Sequence, residues 1–277
     1  MSNIHPDKQF TYDRVMHGDG SISFRCSTDQ DAWPWLALHP HHPIAVQNLQ
    51  FWASVECGME SGAFDGTKWT ALTWTRWSCG MADVGGFARG VSDAVTEDGK
   101  LMSRLTLFDA HDREICSMLS KGVEFRTRDF EAWRAKAKQN GADALDISKF
   151  AFAAPEAVGS AGIGPALIAP LHSGKTPATT GLMTMDNAFP PAHPYMSGSG
   201  DHVNATHLAE AAHQFLHLTQ PERPLRITGG EMRFTSYVEL GQPFQVEQVD
   251  TGGGSVTAIV RQGGRDCTHI RLTFASN

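Results

Sequence analysis

The stretch from His193 to Leu218, HPYMSGSGDHVNATHLAEAAHQFLHL, gathers the side chains most able to move protons. A carboxylate placed one to two turns into a helix, as Glu210 is here, becomes a general acid or base if burial lifts its pKa toward neutrality. His202 and His207 stand close enough in sequence to share that transfer. A Gly-Ser-Gly turn delivers Asp201 to the expected helix start, where a short acceptor caps free backbone donors and a negative charge suits the dipole. The candidate catalytic groups are therefore Glu210, His202 and Asp201. Asn204, His207 and Gln214 on the same helix, with Thr228 and Arg233 on the next strand, are candidates for binding a substrate.

Glu210, His213 and His217 also have the spacing of metal ligands on a helix. Helical carboxylate–histidine metal centres need a second copy of the motif on a partner helix. The matching stretch in the first half, HPIAVQNLQFWASVECGM, offers Gln47, Asn48 and Gln50 instead. No metal ligand set and no cofactor is expected.

The elements that must position these groups read as one unit written twice. ADVGGFARGVSDAV around Gly86 and YVELGQPFQVEQVD around Gly241 each read as a turn with glycine followed by an alternating strand. AHDREICSMLSKGVEF and GGRDCTHIRLTF repeat the order of turn, charged residues and closing strand, at an offset of 152 against 155 for the first pair. His39-Pro40 and His193-Pro194 precede the two helical stretches in the same order. Along the second helix Leu208, Ala211, Ala212 and Phe215 form an apolar stripe, opposite Val203, His207, Glu210, Gln214 and His217. The closing strand alternates, with Ile270, Leu272 and Phe274 on one face.

One helix followed by several antiparallel strands predicts an α+β chain in which each sheet wraps its own helix, a tandem hotdog arrangement. Expected boundaries are an N-terminal unit over 1–135, a linker over 136–182 and a C-terminal unit over 183–277. The Ala-, Gly- and Pro-rich linker contains Gly159-Ser-Ala-Gly-Ile-Gly164. Prolines at 165 and 170 argue against a phosphate-cradling loop that opens a helix, so the segment reads as a surface connection. Trp69, Trp74 and Trp77 are expected to pack a sheet face.

Composition narrows the function classes. A formal charge of −7 with scattered Lys and Arg gives no basic stripe for nucleic acid. Five cysteines without a CxxC pair fit neither a zinc knuckle nor a secreted disulfide framework. No stretch approaches a membrane span or signal sequence, so a cytoplasmic location away from membranes is expected.

The run DHVNATHLAEAAHQ and the strand pair MRFTSYVELGQPFQV resemble the signature helix and following strands of the A-factor biosynthesis hotdog family, and DREICSMLSKGVEFRTRDFEAWR is similar to its closing strand. The resemblance implies transfer of a β-ketoacyl group from acyl carrier protein to the hydroxyl of dihydroxyacetone phosphate. By position it assigns Asp201, His202, Glu210 and Gln214 to the motif. The chain departs from the family at Asn204-Ala205-Thr206, where Pro-Gly-Met is usual, and at Asn48, where the first helix would carry an acid. Arg233 is the nearest candidate for gripping the acceptor's phosphate.

Four readings stay open on sequence alone. An acyltransferase would use Glu210 or His202 as base with the helix start holding the oxyanion. A thioesterase would use water, with Asp201, Thr228 and His269 as polar groups. A dehydratase would pair Glu210 with a histidine of the other unit, for which His39, His41 and His42 are available. A non-catalytic acyl-chain binder is the alternative of a different class. The expected partner is an acyl carrier protein or coenzyme A thioester, and double units could assemble further as a homo-oligomer.

Overall fold

The computed structural model describes residues 8–65, 68–125, 132, 134–135, 147–198, 200–221 and 225–276. The first unit contains β1 (Thr11–Met16), β2 (Ile22–Cys26), α1 (Pro43–Glu60), β3 (Thr70–Cys79), β4 (Arg89–Glu97), β5 (Lys100–Phe108) and β6 (Glu114–Glu124). The second contains β7 (Ala178–Gly181), α2 (Ala205–Thr219), β8 (Leu225–Phe234), β9 (Phe244–Gly252), β10 (Ser255–Gln262) and β11 (Arg265–Ser276). All strand pairs are antiparallel, in one sheet ordered β1-β2-β4-β5-β6-β3-β8-β11-β10-β9-β7.

That order displays the duplication. β2, α1 and β3 to β6 run in the same topology as β7, α2 and β8 to β11, so the fold is a double hotdog. The turns around Gly86 and Gly241, paired in the sequence, lead into the equivalent strands β4 and β9.

The two sheets join through β3 and β8, from Trp74 opposite Arg233 to Ser78 opposite Gly229. The glycine at 230 is dictated by that seam, because a Cβ there would lie 2.4 Å from the Trp77 indole. Trp77 is buried, as expected of a packing residue, and the Trp74 indole donates to Glu231 Oε1 across the seam at 3.0 Å.

Each helix lies between its own sheet and the other helix. Leu208, Ala211, Ala212, Phe215 and Leu216 of α2 are buried. Burying each larger side chain contributes roughly 1.5–3 kcal/mol. Because α1 covers the opposite side, the polar stripe of α2 is buried too: Glu210 and Gln214 are at most 1% exposed. The absence of Lys and Arg from that stripe follows, since neither is readily buried without a partner.

The described part of the expected linker, 147–182, is partly built into the core. Strand β7 pairs with β9, Ile168 bridges to Gly181, and Val158, Ser160, Leu167 and Ile168 are fully buried. The expected boundary at 135/136 touches residues outside those described. No helix among the described residues is long and apolar enough to cross a membrane.

Candidate active site

Glu210 lies where the two helices cross. Its Oε1 accepts from Gln214 Nε2 at 3.0 Å, and its Oε2 lies 3.4 Å from Nδ1 of His213 and 3.9 Å from Nε2 of His42. His42 belongs to the first unit, where it is the N-cap of α1 and its Nδ1 accepts from the Ile44 amide at 3.2 Å. That bond places the proton of the neutral ring on Nε2, the nitrogen facing Glu210.

Burial opposes charge on Glu210, but the contacts with His213, His42 and Gln214 outweigh it and hold the carboxyl down to about 2. The sequence-based expectation of a raised pKa is therefore reversed. Burial instead lowers His42 to about 4 against the pull of Glu210, so its ring is neutral near pH 7. An ionised carboxylate accepting the Nδ1 proton of His213 leaves the His213 lone pair on Nε2, the arrangement by which a carboxylate orients a histidine base.

A metal could in principle use the same groups, because His42, Glu210 and His213 present ligand atoms within 4.8 Å of one another. The set differs from the one weighed in sequence, with His42 in place of His217. An imidazole bound to metal through Nε2 carries its proton on Nδ1, which here accepts the Ile44 amide. The donor set therefore suits proton sharing better than coordination.

The segment after Val158 closes the site from a third side. Gln214, while donating to Glu210, accepts from the Leu167 amide at 2.8 Å and donates to the Pro165 carbonyl at 3.4 Å. Gly159 has φ of 68°, and a Cβ on it would stand 2.6 Å from the His217 ring. A Cβ on Gly164 would stand 2.5 Å from the His193 ring. His217 stacks edge-on against His213, and His213 against His42, with centroids 4.8 and 4.9 Å apart.

Several expected site residues have other duties. Asp201 is not the helix cap: Arg134, itself 5% exposed, donates to it at 3.0 Å and to Glu239 at 2.6 and 2.9 Å. His202 lies with that cluster, 3.4 Å from Asp201 and against the Tyr237 ring, and makes no hydrogen bond or ion pair to Glu210. The cap is Asn204, whose side chain accepts from the His207 amide at 3.2 Å. His207 completes the capping box, with Nδ1 accepting from the Asn204 amide and Nε2 donating to the Ala188 carbonyl at 2.8 Å. Arg233 is exposed and paired with Glu231. Thr228 bonds Thr273 across the strands, and His269 is the register partner of Arg233 on β11. Of the sequence candidates, the structure brings together Glu210 and Gln214 with His42, one of the three histidines available from the first unit, and with His213, weighed in the sequence only as a metal ligand.

Asn48, at the place of the acid missing from α1, donates to the Tyr195 carbonyl at 2.9 Å and accepts from Ser197 at 3.2 Å. It anchors the loop leading into α2. Between α2 and its sheet a cavity of about 10 Å³ is lined by Ala212, Phe215, Leu216, Val256, Ala258, Ile270 and Leu272. Every side chain lining it is apolar, and it is too small for more than a water.

No family model matches the chain, and no curated protein matches its sequence. Solved structures do match in fold. A 12:0-ACP thioesterase from Umbellularia californica aligns with a TM-score of 0.60 at 12% identity, over 95% of this chain and 100% of that one. An acyl-ACP thioesterase from Bacteroides thetaiotaomicron aligns at 0.56 and 11%, over 92% and 97%. A fusion DH domain aligns at 0.50 and 13%, over 97% and 93%. At these identities the likeness is one of fold.

Proposed function

We propose that the protein is an acyl-thioester hydrolase in which Glu210 orients His213 as general base, with His42 supplied across the unit interface to turn a neutral ring N–H toward that carboxylate. The observation carrying this reading is the buried contact of Glu210 Oε2 with His213 Nδ1 at 3.4 Å and His42 Nε2 at 3.9 Å. The thioester class is suggested by the solved proteins of this fold, two of which are described as acyl-ACP thioesterases.

In this mechanism His213 Nε2 takes a proton from water as the hydroxide attacks the thioester carbonyl. Collapse of the tetrahedral species breaks the C–S bond, and the departing sulfur receives the proton that His213 Nε2 took from water. The products are a carboxylic acid and a thiol. Glu210 stays ionised and stabilises the imidazolium that forms. A coenzyme A or carrier-protein thioester would serve equally at this centre.

A second reading rests on the interface itself: a histidine from one unit facing a carboxylate from the other suits dehydration of a β-hydroxyacyl thioester. Acyl transfer to a hydroxyl would run through the same base. The phosphate-bearing acceptor suggested by the sequence resemblance has less support, because Arg233 points to solvent and is already paired.

Acyl, β-ketoacyl and β-hydroxyacyl thioesters of coenzyme A, incubated with wild type and with Glu210→Gln and followed by thiol release and product mass, test the proposal. Free thiol with free acid, lost in the variant, is expected. Loss of water without thiol release would replace hydrolysis by dehydration, and an acyl ester formed on added dihydroxyacetone phosphate would replace it by transfer. No turnover of any member would overturn the reading.

A further inference from the structure

Hydrolysis at Glu210 needs donors aimed at the oxygen that becomes negative, and in most sites these donors contribute a large share of the rate. The amino end of α2 is the obvious source in this fold. It is partly occupied here, since Asn204 and His207 cap it reciprocally. An accounting of the buried polar atoms around Glu210 points elsewhere.

Ser160 and His193 are each 0% exposed, and among the described residues no other residue gives a hydrogen-bond partner to the Ser160 hydroxyl or to either His193 ring nitrogen. An unpaired buried polar group costs about 1–3 kcal/mol, so such groups are rare outside sites that receive a ligand or an ordered water. Both belong to segments that border the site. Ser160 follows Gly159, which touches the His217 ring, and the turn ends at Gly164, which touches the His193 ring. Its carbonyl accepts from the Ile163 and Gly164 amides, which fixes the turn, and Pro165 is tied through Gln214 to Glu210.

We propose that Ser160, carried by the segment that joins the two units, and His193, in the loop before α2, are substrate-binding donors that hold the thioester carbonyl oxygen beside Glu210. The inference rests on the hydrolase reading and adds to it a source of oxyanion stabilisation independent of the helix terminus. The segment that reads as a mere connection in the sequence thereby becomes part of the binding machinery.

Two measurements on Ser160→Ala and His193→Phe test it. The first is thioester turnover: kcat/KM is expected to fall roughly 10- to 1,000-fold, the pattern of a contact made to the carbonyl on binding and strengthened in the transition state. The second is calorimetric binding of an acyl coenzyme A analogue with methylene in place of sulfur, expected to weaken about tenfold or more. Thermal unfolding discriminates a structural role, because removing an unpaired buried hydroxyl leaves the melting midpoint unchanged or raises it. If Ser160→Ala is poorly folded, His193→Phe carries the test. Wild-type turnover with both variants within twofold in kcat/KM and analogue affinity would overturn this inference and leave the hydrolase intact. A wild type that neither turns over thioesters nor binds the analogue would overturn both.

Discussion

His42 and Glu210 meet at 3.9 Å although 168 positions separate them in the chain and they belong to different copies of the repeat. The contact exists because α1 and α2 pack against each other with the N-cap of one beside the second turn of the other. Either unit alone would hold half of the centre.

Replacing Glu210 with Gln preserves shape and the bond to Gln214 in one amide orientation, but removes the charge that orients His213. Loss of the equivalent orienting carboxylate in hydrolases costs on the order of 10⁴ in kcat, and a fall of about 10²–10⁴ is expected here. Stability should fall, since the contacts that hold the carboxylate ionised outweigh the cost of its burial. Steady-state kinetics beside a thermal melt check both halves, and a kcat within threefold of wild type would remove Glu210 from the mechanism.

His42 has two duties that one variant can separate. Asn is a good N-cap, so His42→Asn should keep the bond to the Ile44 amide and hold the melting midpoint near wild type. It cannot turn a ring N–H toward Glu210, and kcat should fall about 10- to 100-fold. His42→Ala should lose the cap as well, with an added cost of about 1 kcal/mol by urea titration. Equal activity in the Asn variant and wild type would make His42 a cap alone.

The fold was legible because duplication leaves a pattern that periodicity detects: turns around Gly86 and Gly241 and closing strands at Arg113 and Arg265 recur in order. Glu210 and Gln214 were legible because a polar stripe without Lys or Arg must be covered. His42 was named only as one of three histidines available from the other unit, and His213 only as a weighed metal ligand, because histidines next to prolines or on a helix are ordinary and only the helix crossing brings these two to one carboxylate. Asp201 was misread because Asp201 and Asn204 are both short acceptors near the helix start. Arg134 claims the first and leaves the cap to the second. Composition likewise could not show that the glycines at 159 and 164 are there to admit two imidazole rings.

That reassignment of Asp201 has a measurable consequence. Asp201→Asn should weaken the buried cluster of Arg134, Glu239 and Asp201, and lower stability by about 1–3 kcal/mol, less than for a fully buried pair because Glu239 still compensates Arg134. At a temperature where the variant is folded its kcat should stay within a few-fold of wild type, because Asp201 serves Arg134 rather than Glu210. A drop of 100-fold or more in folded protein would return Asp201 to the catalytic set.

Acid should unfold this protein earlier than its carboxylates alone require. Burial lowers His207 and His42 to about 4, from an ordinary value of 6.5 in the unfolded chain. Between those values the unfolded state binds the protons that the folded state refuses, so stability is complete above about pH 6.5 and is lost as pH falls toward 4. Each histidine contributes a slope of up to about 1.4 kcal/mol per pH unit over that window. Glu210, held down to about 2, acts in the same direction only below about pH 4.5. Urea midpoints at pH 7.5, 6.5, 5.5 and 4.5 should therefore be flat across the first pair and fall steeply across the rest. His207→Gln should make the fall shallower, because the amide has no proton to gain; an unchanged slope would mean that the ring is charged in the folded protein.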